Sequence, residues 1–172
     1  MGQSLGSIVM AYDALSLLVP DIFVDTMGYA FALGFTKLLF PDVPTGAYVH
    51  YPTISIDMLS SLDKTSPNGS QGINAGKGMG KKGALKKIYW KLFAVLYSWV
   101  GSSIDVVMTN SSWTQAHIRS LWGPQRRKNR RASEISVVYP PVAVEELEWE
   151  VNVSEASEKY REKVLIYIAQ FR

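Results

Sequence analysis

Cysteine is absent from all 172 residues. Its absence excludes a disulfide scaffold, a zinc site built on thiolates and a cysteine nucleophile. Histidine is nearly as scarce, with two in the chain. No His-x-x-His spacing joins them, so no metal site made by protein ligands alone is expected. Neither the G-x-S-x-G turn of a hydrolase nor the G-x-x-x-x-G-K-[ST] loop of an ATPase occurs. The acids Asp25, Asp57 and Asp105 have no spacing that marks a catalytic pair. Long apolar runs are also lacking. Residues 14–40 come nearest, but Pro20, Asp21, Asp25 and Lys37 break them below the roughly 18 residues of a membrane span. The first seven residues lack the basic and apolar regions of a secretory signal, and Gly6 stands where N-myristoylation wants Ser or Thr.

What is present allows a packed core: 47% of residues are apolar and 19% charged. The net charge is only +3, but it is unevenly spread. Lysines gather around 77–91, arginines around 126–131 and acids around 145–158. A local basic patch points to an anionic partner such as a phosphate group or a membrane lipid. The run Arg126, Arg127, Lys128, Arg130, Arg131 has no interleaved aromatics and sits in no reader motif, so nucleic acid is not the expected partner.

Along the chain, strands alternate with helices. Ile8, Leu15, Leu17 and Leu18 predict a helix stopping before Pro20. Residues 21–25 read as a buried strand, 26–29 as its exit loop, and 30–40 as a helix ended by Pro41. Residues 46–50 read as a second strand and 54–62 as a short helix with Thr53 as its cap. The stretch 64–83 is rich in Gly, Ser, Asn and Lys and reads as a flexible surface loop. It contains Gly78-Met-Gly80-Lys-Lys-Gly83, but no strand leads directly into that motif, so it is not read as a dinucleotide site.

Residues 84–100 form the clearest helix, with Leu85, Ile88, Leu92, Leu96, Trp99 and Val100 on one face and Lys87, Lys91, Ala94 and Ser98 opposite. The favoured reading is a core helix buried through the leucine face; the alternative is a helix lying in a membrane interface. Residues 105–109 are a third strand. Ser111 or Ser112 caps a helix to about Trp122, which Gly123-Pro124 ends, and 125–131 follow as a basic loop. Residues 135–139 are a fourth strand closed by Pro140-Pro141. An acidic linker, a short helix near 155–161 and a last strand at 164–168 complete the chain.

This alternation predicts an α/β fold with a parallel sheet, in which ligands sit at the carboxyl ends of strands. His50 follows an apolar strand directly, where an imidazole either donates to a sugar hydroxyl or phosphate oxygen or holds a loop carbonyl. His117, inside a helix, reads as plain surface or core. The tripeptides at Asn68, Asn110 and Asn152 fit the glycosylation pattern but are read as unmodified.

Several longer words stand in one order: Asp25-Thr-Met-Gly-Tyr-Ala-Phe31, Tyr48-Val-His-Tyr-Pro-Thr-Ile-Ser55 with Asp57-Met-Leu59, Asp105-Val-Val-Met-Thr-Asn-Ser-Ser-Trp-Thr114, Val138-Tyr-Pro-Pro141 and Gln170-Phe-Arg172. Together they resemble the eukaryotic mannosyltransferases that add α-1,2-linked mannose to the dolichol-linked oligosaccharide. These are retaining enzymes of glycosyltransferase family 4 with two Rossmann-like domains, the GT-B type. The resemblance implies GDP-mannose as donor, a lipid-linked pyrophosphoryl oligosaccharide as acceptor, the cytosolic face of the endoplasmic reticulum membrane, and no bound metal or other cofactor. It implies that residues 1–139 belong to the acceptor-side domain, and that 140–172 are the linker and the first strand of the nucleotide-sugar domain. His50 matches the histidine that approaches the transferred sugar, and Arg172 the arginine that holds the donor diphosphate. Tyr51, Asn110 and Ser111 are the further substrate-binding candidates at the strand ends. The family's membrane anchor, its first glycine-rich turn and most of its donor domain have no counterpart here. A fragment inactive by itself is therefore expected, the alternative being a non-catalytic remnant that binds a membrane surface or a partner.

Overall fold

The computed structural model describes residues 2–62, 81–129, 134–150, 154–160 and 162–165. Its elements are α1 (Gly2–Leu17), β1 (Phe23–Asp25), α2 (Ala30–Leu39), β2 (Thr45–Val49), α3 (Ile56–Ser60), α4 (Lys81–Ser102), β3 (Val106–Thr109), α5 (Ser112–Lys128), β4 (Ser136–Val137), α6 (Glu145–Glu150) and α7 (Glu155–Lys159). The chain divides into two compact units, Met1–Tyr139 and Pro140–Arg172.

The first unit holds a four-stranded sheet in the order β1-β2-β3-β4, every pair parallel. Each parallel step needs a crossover, and the helices supply it. Right-handed crossovers between strands in sequential order put all their helices on one face. In agreement, α1, α2, α4 and α5 pack side by side as one layer, with α2 and α5 resting on the strands. Register and alternation give the sheet two unlike faces. Ala47, Val49, Val107 and Thr109 point into the helices and are buried. On the reverse face, Val24 and Val106 are exposed, and Tyr48 and Met108 half-buried.

The core between sheet and helices is built from Leu33, Val49, Ile54, Tyr97, Ile104, Val107, Ile118, Trp122 and Ile135. Burial of each aliphatic side chain there contributes about 1.5–3 kcal/mol. Below the sheet, at the amino ends of the strands, one carboxylate ties three elements together. Asp105 Oδ2 accepts from Thr45 N (2.8 Å) and Thr45 Oγ1 (3.1 Å), and pairs with Lys37 Nζ of α2 at 2.8 Å.

Three helices differ from the sequence reading. The leucine stripe of α4 is turned outward: Leu85, Ile88, Leu92, Leu96 and Trp99 are 47–70% exposed. Phe93 and Tyr97 are buried instead, each packed on Phe31 of α2, with Tyr97 also edge-on to Trp122 of α5. A helix squeezed between two others buries the side that faces them, and here that side carries Phe93 and Tyr97. Burial pushes the Tyr97 phenol up from 10.0 to about 12, partly offset by the Thr53 N–H it accepts.

Second, α5 does not end at Gly123-Pro124 but runs through Pro124 to Lys128. The reason is Arg126, which is fully buried and donates to the carbonyls of Gly101, Ile104 (2.5 Å) and Asp105 (3.1 Å). Those carbonyls lie at and just beyond the end of α4, where a helix leaves acceptors without internal partners. The expected basic loop is thus largely helix, and its first arginine is core. Third, α3 is capped by Ser55, whose hydroxyl accepts from Met58 N, and not by Thr53.

In the second unit, α6 occupies part of the stretch read as an acidic linker. Ser154 and Ser157 form a reciprocal capping box at the start of α7. Val164 and Leu165 are exposed and not in a strand, and the rest of the expected last strand lies outside the described residues. So does most of the expected loop at 64–83. Among the described residues, no helix is long and apolar enough to cross a membrane.

Candidate functional site

The carboxyl edge of the sheet is shaped by three turns. After β1, the Asp25 carboxylate accepts from Met27 N (3.2 Å) and Tyr29 N (2.5 Å). That closes the loop into α2, and Gly28 takes the required φ of +85°. The Asp25 carboxylate therefore supports the turn.

After β2 comes His50, exposed, with the Tyr48 ring edge-on at 4.7 Å. Its carbonyl accepts from Thr114 Oγ1 of α5 at 3.1 Å, which pins the end of β2 to the neighbouring helix. Tyr51 follows, 60% exposed, its ring stacked on Trp113 at 5.4 Å and 23°.

After β3, Ser111 caps α5 by accepting from Thr114 N at 3.2 Å. Ser111 Oγ also lies 3.0 Å from Thr114 Oγ1, which is 2.9 Å from Asn110 Oδ1. The single Thr114 hydroxyl proton is thus shared between Asn110 Oδ1 and the His50 carbonyl. These bonds knit the two strand ends into one rigid edge.

Of the site residues expected from sequence, His50, Tyr51, Asn110 and Ser111 come together on this edge. His50 and Tyr51 are exposed, whereas Asn110 Oδ1 and Ser111 Oγ are engaged in the turn. Arg172 lies outside the described residues. Sequence reasoning did not find the place of Trp113 or the pairing of Asp57 with His117; His117, read as surface or core, is core. The His117 ring is buried against Trp113 at 3.9 Å. Its Nδ1 lies 2.9 Å from the Trp113 carbonyl and its Nε2 3.4 Å from Asp57 Oδ2. Both partners accept, so only a protonated ring makes both bonds at once. Asp57 and His117 are 60 residues apart, and no local spacing betrays the pair.

A parallel sheet with helical crossovers and its polar and aromatic side chains at the carboxyl edge defines a Rossmann-like α/β protein. The family model described as "ALG11 mannosyltransferase N-terminus" matches residues 1–122, and the chain belongs to this family. It is similar to proteins named "GDP-Man:Man(3)GlcNAc(2)-PP-Dol alpha-1,2-mannosyltransferase". The one from Neurospora crassa is 70% identical over 99% of this chain and 32% of its own length. The Xenopus tropicalis protein is 42% identical over 100% of this chain and 33% of its own. The Homo sapiens protein is 45% identical over 84% of this chain and 28% of its own. The chain spans about a third of the length of the curated relatives it matches. No solved structure matches.

Proposed function

We propose that this chain is the acceptor-side part of a GDP-mannose-dependent α-1,2-mannosyltransferase acting on a dolichol-pyrophosphate-linked oligosaccharide. The observation that carries the reading is His50, exposed at the carboxyl edge of the parallel sheet in a chain of this family. In the reaction, the bond between mannose C1 and the diphosphate oxygen breaks, and its electron pair leaves with GDP. The acceptor hydroxyl oxygen bonds to C1 and yields its proton to the departing diphosphate. No metal is needed for this balance. His50 positions the transferred mannose from the acceptor side. Arg172 belongs to the motif that holds the donor diphosphate and stabilises the charge that grows on it as it leaves.

The test is transfer from GDP-mannose by a full-length transferase carrying this segment. Arg172→Ala is expected to lower kcat on the order of 100- to 1000-fold, as for loss of one charge-stabilising donor. His50→Ala lowers kcat through lost positioning. Near-normal turnover in either variant removes that residue from the mechanism. The 172-residue chain alone is expected to transfer nothing.

The place of action is the cytosolic surface of the endoplasmic reticulum membrane, and the outward stripe of α4 supports this. Leu85, Ile88, Leu92, Val95 and Trp99 stand exposed on α4, and Leu5, Val9 and Met10 on α1. Between α1, α2 and α4 runs an apolar groove of about 440 Å³ lined by Phe31, Gly34, Leu38, Leu96, Trp99 and Val100, among others. The sequence of α4 holds Lys81, Lys82, Lys86, Lys87 and Lys91 and no acid, which suits an anionic lipid surface. Vesicles of phosphatidylcholine with phosphatidylserine are expected to bind the chain, and salt to weaken that binding. Lys87→Glu with Lys91→Glu weakens it by up to about 1 kcal/mol per lysine. Equal binding to vesicles of phosphatidylcholine alone, or no effect of the charge reversals, rejects this surface.

A further inference from the structure

Tyr51 and Trp113 come from the ends of two different strands, yet their rings stack. The pair stays in water, Tyr51 60% and Trp113 44% exposed. The two rings thus keep apolar surface in water at the edge where a parallel sheet binds ligands.

The plate is held rigidly from behind. Trp113 sits in the first turn of α5, which Ser111 caps. Its ring packs on His117, and its carbonyl is bonded by His117 Nδ1. His117 is in turn braced by Asp57. A ring already fixed in place loses little conformational entropy when a ligand arrives. Asp57 keeps a side chain 64% exposed, and His50 is exposed on the neighbouring strand end.

A rigid apolar plate bordered by a carboxylate and an imidazole suits a pyranose ring. The C–H face of the sugar lies on the aromatic, and its hydroxyls donate to the carboxylate or bond the imidazole. The Asp57 carboxylate takes hydroxyl donors and repels phosphate oxygens, which argues against a nucleotide stacking here. We propose that the Tyr51–Trp113 stack is a saccharide platform that seats one pyranose unit of the acceptor, with Asp57 and His50 bonding its hydroxyls. The proposal rests on the transferase reading for its acceptor and adds the place where that sugar lies.

The probe is a soluble α-mannobioside, without lipid or nucleotide, added to the 172-residue chain and followed by saturation-transfer NMR. Ring-face C–H protons of one mannose unit are expected to receive the strongest transfer. Tyr51→Ala and Trp113→Ala are each expected to weaken binding on the order of three- to tenfold, the range of one aromatic pair. Tyr51→Phe keeps binding, since the ring does the stacking, and this variant also guards against a folding artefact. Tyr12→Ala, which removes an exposed aromatic on α1 of the same unit, leaves binding unchanged. Unchanged affinity in both alanine variants overturns the platform, as does absence of any saccharide signal or displacement of the sugar by guanosine monophosphate. The two proposals fail separately. Aromatic-dependent sugar binding without mannosyl transfer by the full-length protein keeps the platform and rejects the transferase. Transfer with an unaltered acceptor KM in both alanine variants keeps the transferase and rejects the platform.

Discussion

Gly101 lies in the last turn of α4, pressed against the indole of Trp122 in α5. A Cβ built on Gly101 falls within the Trp122 ring, against its Cγ, Cδ2 and Cε2. The indole has nowhere to go. Trp122 is fully buried and meets Tyr97 edge-on at 5.3 Å, and Tyr97 is itself fully buried. Gly101→Ala therefore forces two helices apart or drives the tryptophan off its rotamer. Overpacking of this kind costs about 1–3 kcal/mol, and overlap with a ring belongs at the upper end. The gain in helix propensity from glycine to alanine is at most about 1 kcal/mol, and less near a helix end. The net expectation is a loss of about 2 kcal/mol. Urea denaturation followed by circular dichroism measures it. Trp122→Leu makes room at the cost of a cavity, so the double variant should lose less than the two single losses added. If Gly101→Ala is as stable as the parent, or if the two changes are additive, the α4–α5 packing described above is wrong.

Other expectations follow from the same contacts. Arg126→Met leaves the buried carbonyls of Ile104 and Asp105 without their donor and should cost about 2–4 kcal/mol in urea denaturation; Arg126→Lys should recover little, because one ammonium cannot span both. Asp105→Ala removes the acceptor shared by Thr45 and Lys37, and should cost about 1–3 kcal/mol by the same measurement, the pair being partly exposed. The Tyr97 phenol is raised from 10.0 to about 12, so the folded state holds its proton where the unfolded chain has lost it. Its stabilisation is complete below pH 10 and is lost as pH rises toward 12, amounting to about 2–3 kcal/mol. Denaturation midpoints measured across that window should fall for the parent and fall less for Tyr97→Phe.

Much of this fold is legible in the order of residues. Short apolar runs between turn residues marked β1 to β4, because a strand that carries a helix layer must present apolar side chains to it. Ser111 was legible as a cap because a helix start needs a side-chain acceptor for its free N–H groups. The strand ends placed His50 and Tyr51 on one edge, because ligands of parallel sheets gather there. The long words around these residues carried the family as well, and the match over residues 1–122 bears that out.

Other features belong to the tertiary structure alone. The periodicity of α4 offers a leucine stripe and an aromatic one, and a hydrophobic pattern cannot say which of them meets a neighbour. Contact with Phe31 and Trp122 chose the aromatics and left the leucines outside. Gly123-Pro124 carries the local chemistry of a helix end, but the carbonyls at the end of α4 draw Arg126 inward and the helix continues. The pairing of Asp57 with His117, and of Tyr51 with Trp113, joins residues about 60 positions apart, which only the folding of the sheet brings into reach. Local chemistry settles where elements start and turn because its partners are a few residues away. The choice of buried face, the survival of a helix through proline and the making of a site depend on partners that exist only once the chain has packed.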